Sequence, residues 1–146
     1  MKYYTLVILT AVSFLSCNKK NPHNAATQSH ETCYEGLEAD DTVRLSIIDD
    51  AGKITGTLLY ENPESSNSSG TFTGIRSGDT LKLTVRSTAS GTASYREKYL
   101  LKKEDKLYDG IGEIKQINDS VAVFAKPTDL VFTHSLVFEQ ADCSDF

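Results

Sequence analysis

The chain has 146 residues, with 20 acidic side chains against 15 basic ones and a formal charge of −5. That length suits one domain rather than several. The acidic balance and the lack of any Lys/Arg cluster interleaved with aromatics argue against nucleic acid as a partner, and the scattered histidines and cysteines give no metal-ligand spacing.

Met1–Lys2 supplies a small positive start, and Tyr3 to Phe14 follows without a charge. The run is shorter than the roughly 20 residues a membrane span needs, so it reads as the apolar part of an export signal. The sequence Phe14-Leu15-Ser16-Cys17 resembles a bacterial lipobox, with Phe14 in place of the usual Leu and Leu15 in place of a smaller residue. The resemblance implies a signal peptide over residues 1–16, diacylglyceryl transfer to the Cys17 thiol, and acylation of the new N-terminus. Several acyl chains make a stable anchor, where one makes a marginal one. Cleavage after Ala11-Val12-Ser13 is the alternative and would release an ordinary secreted protein. Asn18 rather than Asp follows Cys17, which favours the outer membrane over inner-membrane retention. Cutting the signal removes Lys2 and leaves the mature chain one unit more negative.

From Cys17 to Thr32 the chain is polar, with no aromatic or large aliphatic residue after the cysteine. Such a stretch cannot bury enough surface to fold and reads as a flexible tether. His23 and His30 are isolated linker histidines. The folded domain is expected over residues 33–146. With Cys17 assigned to lipid, Cys33 and Cys143 remain, one at each end of that domain. An envelope compartment permits disulfides, so a Cys33–Cys143 bridge is expected.

Period-two alternation then runs through the domain. Val43, Leu45 and Ile47 alternate with Arg44 and Ser46; Ile54, Leu58 and Tyr60 alternate with Thr55 and Thr57; Leu81, Leu83 and Val85 alternate with Lys82, Thr84 and Arg86. Such alternation marks strands with one buried face. Turn signals lie between them at Asp49–Gly52, Ser77–Asp79, Lys103–Asp105 and Asn118-Asp119. The strands predicted are 33–38, 42–49, 53–61, 70–76, 80–88, 93–102, 106–116, 120–125 and 130–139. The fold class is all-β: a small antiparallel up-and-down barrel of about eight strands, with a two-sheet sandwich as the alternative. Gly56, Gly74, Gly110 and Gly112 read as glycines inside strands that permit tight coiling.

The segments Cys33-Tyr34-Glu35-Gly36, Lys53–Leu58, Gly78–Leu81, Tyr95-Arg96-Glu97 and Asp109–Glu113, closed by Cys143, resemble a family of small lipoproteins of Bacteroidota-type bacteria. The resemblance spans most of the mature domain. It implies a lipocalin-like barrel tethered to the envelope and brings no activity with it. Cys33–Leu37 also resembles the opening of the N-terminal barrel of the envelope-stress lipoprotein NlpE. That family continues with a CxxC pair, whereas this chain continues Glu38-Ala39-Asp40-Asp41, so thiol chemistry does not carry over.

No nucleophile elbow, zinc-protease helix, S-x-x-K or phosphate-binding glycine loop is present, so an enzyme is not expected, and no cofactor is implied. By alternation His134 lies with Leu130, Phe132, Leu136 and Phe138 and reads as a core histidine. The polar candidates for a ligand site are Tyr60, Arg96, Asp109 and Glu113. Asp109, Ile111 and Glu113 are expected on one strand face, with Arg96 paired to Asp109 or Glu113 near a barrel mouth; the alternative is a surface cross-strand ion pair. The polar loop 63–69 is a candidate mouth cover or a plain surface loop. Asp41-Thr42-Val43, Asp79-Thr80-Leu81 and Asp119-Ser120-Val121 resemble bacterial O-glycosylation acceptors, although a turn followed by a strand start selects the same residues.

Two functions remain. One is a binding module for a small apolar or amphipathic molecule. The other is an interaction subunit of an envelope complex that uses its outer surface, for which Ile48 and Leu59 are the candidate start of an apolar patch.

Overall fold

The computed structural model describes residues 30–64 and 66–146. The export signal, Cys17 and the stretch 18–29 lie outside the described residues. Ten strands follow one another: β1 Glu31–Glu38, β2 Asp41–Asp50, β3 Lys53–Glu61, β4 Ser68–Ser77, β5 Thr80–Ala89, β6 Thr92–Lys103, β7 Lys106–Asp109, β8 Ile114–Asn118, β9 Val121–Phe124 and β10 Val137–Ala141. Short 3₁₀ turns stand at Pro127–Asp129 and Cys143–Asp145.

β1 to β7 form an antiparallel meander, β10 inserts between β1 and β7, and β5 pairs with β6 to close an eight-stranded barrel. The expected all-β antiparallel barrel is therefore observed. Apolar residues at alternate positions fill its middle: Val43, Leu45, Ile54, Phe72, Leu83, Leu100, Leu107 and Phe138 are all buried. Closing the sheet satisfies the edge hydrogen bonds that an open sheet of this size would leave exposed.

The chain ends meet at one seam. β1 pairs β10 through Cys33↔Ala141, Tyr34↔Gln140 and Glu35↔Glu139. Cys143, two residues beyond that register, forms the expected disulfide with Cys33, with the Cα atoms 5.2 Å apart.

The hairpins use backbone that favours glycine. Ala51 and Gly52 have φ of 50° and 90° in the β2–β3 turn, and the Asp49 Oδ1 accepts the Gly52 N–H at 2.8 Å. Gly56 meets a different demand. A Cβ there would lie 1.9 Å from the Ser46 carbonyl oxygen and 2.4 Å from the Phe72 ring. The strands coil so tightly at this point that the Phe72 ring occupies the space of the missing side chain.

Several expectations are corrected. β1 begins at Glu31, so the last two residues assigned to the tether are in the sheet. The strand expected over 106–116 is two: pairing with β6 ends at Asp109, and the chain leaves the barrel through Gly110–Glu113, so Gly110 and Gly112 are not strand residues. Asp109, Ile111 and Glu113 accordingly share no strand face. The run 130–139 is also not one strand. Only Val137 onward pairs in the barrel, and Val131 makes an isolated bridge with Ile111. His134 is exposed in a turn at φ 59°, not in the core. Alternation of apolar residues misled here because they pack from an irregular loop.

The excursion β8–β9 departs from pure antiparallel pairing. β9 runs parallel to β6 at Tyr95↔Val121 and Arg96↔Ala122, on the edge that β7 has vacated. A small second core holds it: Tyr99 and Phe124 meet edge to face at 5.6 Å, and Leu130 and Phe132 crowd Gly112 and Gly110 respectively.

Candidate ligand site at the barrel mouth

The β5–β6 hairpin sets the site. Its register pairs Leu81↔Leu100, Leu83↔Lys98, Val85↔Arg96 and Ser87↔Ser94. Directly opposed residues point to the same side of a sheet. Leu81, Leu83, Val85 and Leu100 are buried, so Lys98, Arg96, Ser94 and Ser87 also face inward. The inner wall thus turns from aliphatic to polar as it rises toward the Ala89–Thr92 end.

That end holds a cavity of about 510 Å³, within the size range of small-molecule sites. Leu58 and Tyr60 come from β3, Val85 and Ser87 from β5, Ser94, Arg96, Glu97 and Lys98 from β6, Asp109 from the end of β7 and Gly110 from the residue after it. Ile114, Ala122 and Phe124 close it from the β8–β9 excursion. A smaller cavity of about 340 Å³ lies among residues of the other barrel end, with Asp49, Arg76, Asp79 and Lys102 among its lining residues. The buried middle layer fills the barrel between these ends.

Of the four candidate residues, Tyr60, Arg96 and Asp109 line the mouth cavity and Glu113 does not. Glu113 is exposed in the exit segment, where its carbonyl accepts the Ala125 N–H at 2.8 Å. The expected pairing of Arg96 is also corrected. Lys98, not Arg96, takes Asp109, with Nζ 2.6 Å from Oδ2. The Lys98 ammonium also lies 5.8 Å from the centre of the Phe138 ring. This pair is largely shielded, at 12% and 22% side-chain exposure, so each charge needs its partner.

Glu97 points away from the barrel axis into the split between β6 and β7. Its Oε2 accepts the Phe124 N–H at 3.0 Å. The carboxylate thereby satisfies a donor that the two-residue β6–β9 ladder leaves over, and ties the excursion to the barrel. Tyr95 N–H to Ser120 O, at 2.7 Å, is a second tie.

Four polar groups that line the cavity remain uncommitted: Arg96 and the hydroxyls of Tyr60, Ser87 and Ser94. Arg96 is exposed and makes no ion pair or hydrogen bond through its side chain among the described residues, and the same holds for the Tyr60 hydroxyl. Burial raises the Tyr60 phenol above its ordinary value, with Asp109 and Glu38 adding to the rise against Lys98 and Arg96. Tyr60 therefore stays a neutral donor through the physiological range.

The other candidate features sort as follows. Among the described residues, no cluster of His, Cys, Asp and Glu is arranged to hold a metal ion. The described residues of the connection after β3, Asn62 to Glu64 and Ser66-Asn67, do not line the cavity; Asn62 Nδ2 donates to Asp41 Oδ1 at 2.5 Å, which anchors its start beside the β1–β2 turn. Ile48 and Leu59 are half-buried and lie opposite Thr55 and Arg44, with the Ser46↔Thr57 pair between them, so they form no continuous patch. Among the described residues, Ile111, Ile114, Ile117 and Val131 are exposed around the excursion, and Leu37, Ile75, Tyr95 and Phe146 are exposed at other places.

The readings missed Lys98, Glu97, Ser87 and Ser94. A signal for three of them was present. Ser90-Gly91 is a two-residue turn, and its register alone puts Ser87, Ser94 and Lys98 on the face of Leu83 and Val85. The role of Glu97 depends on an excursion that no local pattern announces. Comparison of the chain with protein-family models, with curated proteins and with solved structures finds no match.

Proposed function

We propose that the protein is a non-catalytic binding module of the bacterial cell envelope, lipid-anchored through Cys17, that holds a small amphipathic molecule in the barrel mouth. The observation that carries this reading is the mouth cavity itself. Its floor is aliphatic and aromatic, from Leu58, Val85, Ala122 and Phe124, and its wall bears Arg96 and the Tyr60 hydroxyl with no internal partner. Apolar side chains gathered beside convergent polar groups in one concave surface suit a small amphipathic molecule. The Cys33–Cys143 disulfide supports an oxidising compartment. The family resemblance and the lipobox support the envelope, and Asn18 after Cys17 supports the outer membrane.

Native mass spectrometry of the protein extracted from its own cells in mild detergent tests the reading. A defined extra mass that disappears on denaturation is expected. A bare lipidated mass would overturn the carrier reading. A membrane-bound Cys17→Ala variant of otherwise unchanged mass would overturn the lipid anchor.

One observation favours the alternative, an interaction subunit. β8 pairs only with β9 among the described residues, and all five of its residues are exposed, next to Ile111 and Val131. An open edge beside apolar side chains suits addition of a partner strand. A subunit that co-purifies with a bare lipoprotein mass, and is lost when Gln116 is replaced by Pro, would establish that reading instead.

A further inference from the structure

We infer that the molecule held at the barrel mouth is an anionic amphiphile, with a carboxylate or phosphate head on Arg96 and its chain over Leu58, Val85 and Phe124. This rests on the binding-module reading and adds the charge and orientation of the ligand.

The argument is an account of which polar groups are already used. Four charged side chains line the cavity: Arg96, Glu97, Lys98 and Asp109. Lys98 and Asp109 neutralise each other at 2.6 Å. Glu97 is held by the Phe124 N–H at 3.0 Å. Arg96 alone keeps its full set of donors. The neutral groups at the same level add more. The Ser87 and Ser94 hydroxyls oppose each other one inward-facing pair above Val85↔Arg96, and the Tyr60 hydroxyl approaches from β3. None of the three hydroxyls has a hydrogen-bond partner among the described residues. Every uncommitted side chain on the inner face can donate, and the only charge on that face without an ion-pair partner is positive, because Glu97, which keeps its charge, lies on the opposite face of β6. A guanidinium presents a planar fork that matches a carboxylate or phosphate with two parallel bonds.

A cationic head would meet Arg96 with Asp109 already paired to Lys98 and Glu97 on the opposite face of β6. A neutral alcohol would offer the guanidinium a single uncharged acceptor in place of a two-oxygen anion. The net negative charge of the chain opposes anions at long range, but that repulsion is screened beyond about 8–10 Å at physiological salt, whereas contact with Arg96 is not. The floor sets the other end. Val85 stands opposite Arg96, Leu58, Phe124 and Ala122 line the same cavity, and the next inward pair is Leu83↔Lys98 with Lys98 neutralised by Asp109, so a chain entering head-outward trades water for apolar surface beside that pair.

The test is competitive native mass spectrometry on the full chain, held in a bulky non-ionic detergent. Laurate, dodecyl phosphate, dodecanol and dodecyltrimethylammonium are offered at equal concentration, with acetate and inorganic phosphate as chainless anions. Laurate or dodecyl phosphate is expected to occupy the protein at least tenfold better than the alcohol or the ammonium, and the better of the two names the head group. Arg96→Gln is expected to lose that preference tenfold or more while leaving dodecanol occupancy and the melting temperature unchanged. Arg96→Lys is expected to recover only part of it.

Equal occupancy by laurate and dodecanol, with no effect of Arg96→Gln, would overturn the anionic head and leave the amphiphile reading standing. Occupancy by acetate or phosphate as high as by laurate would overturn the amphiphile and keep only an anion site. Binding of none of the probes would overturn both.

Discussion

Removing the disulfide should cost this domain a large part of its stability, and mainly through the unfolded chain. Cys33 and Cys143 are 110 residues apart, so the bridge closes almost the whole described chain into one loop. In the chain-entropy model a loop of that length removes about 16 cal/mol/K from the unfolded ensemble, or about 4.8 kcal/mol at 25 °C. A domain of this size has roughly 5–15 kcal/mol in total. The melting temperature should fall by about 20 °C, from an unfolding entropy near 2.1 cal/mol/K per residue. The bridge also sits where the loop entropy is otherwise hardest to recover. β1 and β10 come from opposite chain ends, and their pairing closes the barrel. The assay is urea unfolding of the Cys33→Ala/Cys143→Ala variant against the oxidised parent. Cys33 is 1% exposed, so its truncation adds a packing loss of about 1 kcal/mol. The slope separates the two effects. A released chain is more expanded and must raise the m-value as the midpoint falls. A loss below about 1 kcal/mol with an unchanged m-value would refute the reasoning.

Gly56→Ala should destabilise by about 3 kcal/mol in the same assay, because the new Cβ meets a backbone carbonyl at 1.9 Å and the Phe72 ring at 2.4 Å, and the carbonyl cannot move alone. Asp49→Asn should weaken the fold near neutral pH by a few tenths to about 1 kcal/mol, and the difference should shrink as the pH falls through the lowered folded-state pKa of Asp49. The partial burial of the Asp49 carboxyl raises its pKa, but the Gly52 N–H and the Arg76 guanidinium, 2.7 Å away, outweigh that and hold it below its ordinary value. A lowered folded-state pKa gives stability that is complete above the unfolded value and lost as pH falls through the folded one. A midpoint difference between parent and variant that persists in acid would count against the pairing. Ala51→Asn should add about 0.5–1 kcal/mol, since Ala51 holds φ 50° before Gly52 and Asn-Gly suits that turn. Glu97→Ala should speed amide exchange at Phe124 at least tenfold while Leu83 and Leu100 stay protected, because only the tie to the excursion is lost; uniform protection would rule out that role.

How legible the molecule was depends on the range of the cause. β3 was read to the residue, and β2 and β5 to within one residue at either end, because their period-two patterns and bounding turns are local. The β7–β8 break was missed although Gly110 and Gly112 marked it, since Leu107, Asp109 and Ile111 alternate as a strand would. Val131 to Leu136 misled in the same way. A strand needs a neighbouring ladder, and whether one is available there is decided by where β7 turns away. At the site, Tyr60, Arg96 and Asp109 converge on one cavity although they lie on β3, β6 and β7. Glu113 does not, because the chain leaves the barrel before reaching it.

The sequence by itself determined the strand periodicity, most of the hairpin turns, the pair of cysteines available to close the domain, and the polar character of the β6 wall. These follow from side-chain alternation and turn chemistry over a few neighbouring residues. Only the tertiary structure decided that Lys98 takes Asp109, that Glu97 serves the Phe124 N–H, and that Arg96 is left over. Each of those outcomes is a competition among groups from different strands, and its winner depends on distances that exist only once β7 and β9 share the two halves of one β6 edge.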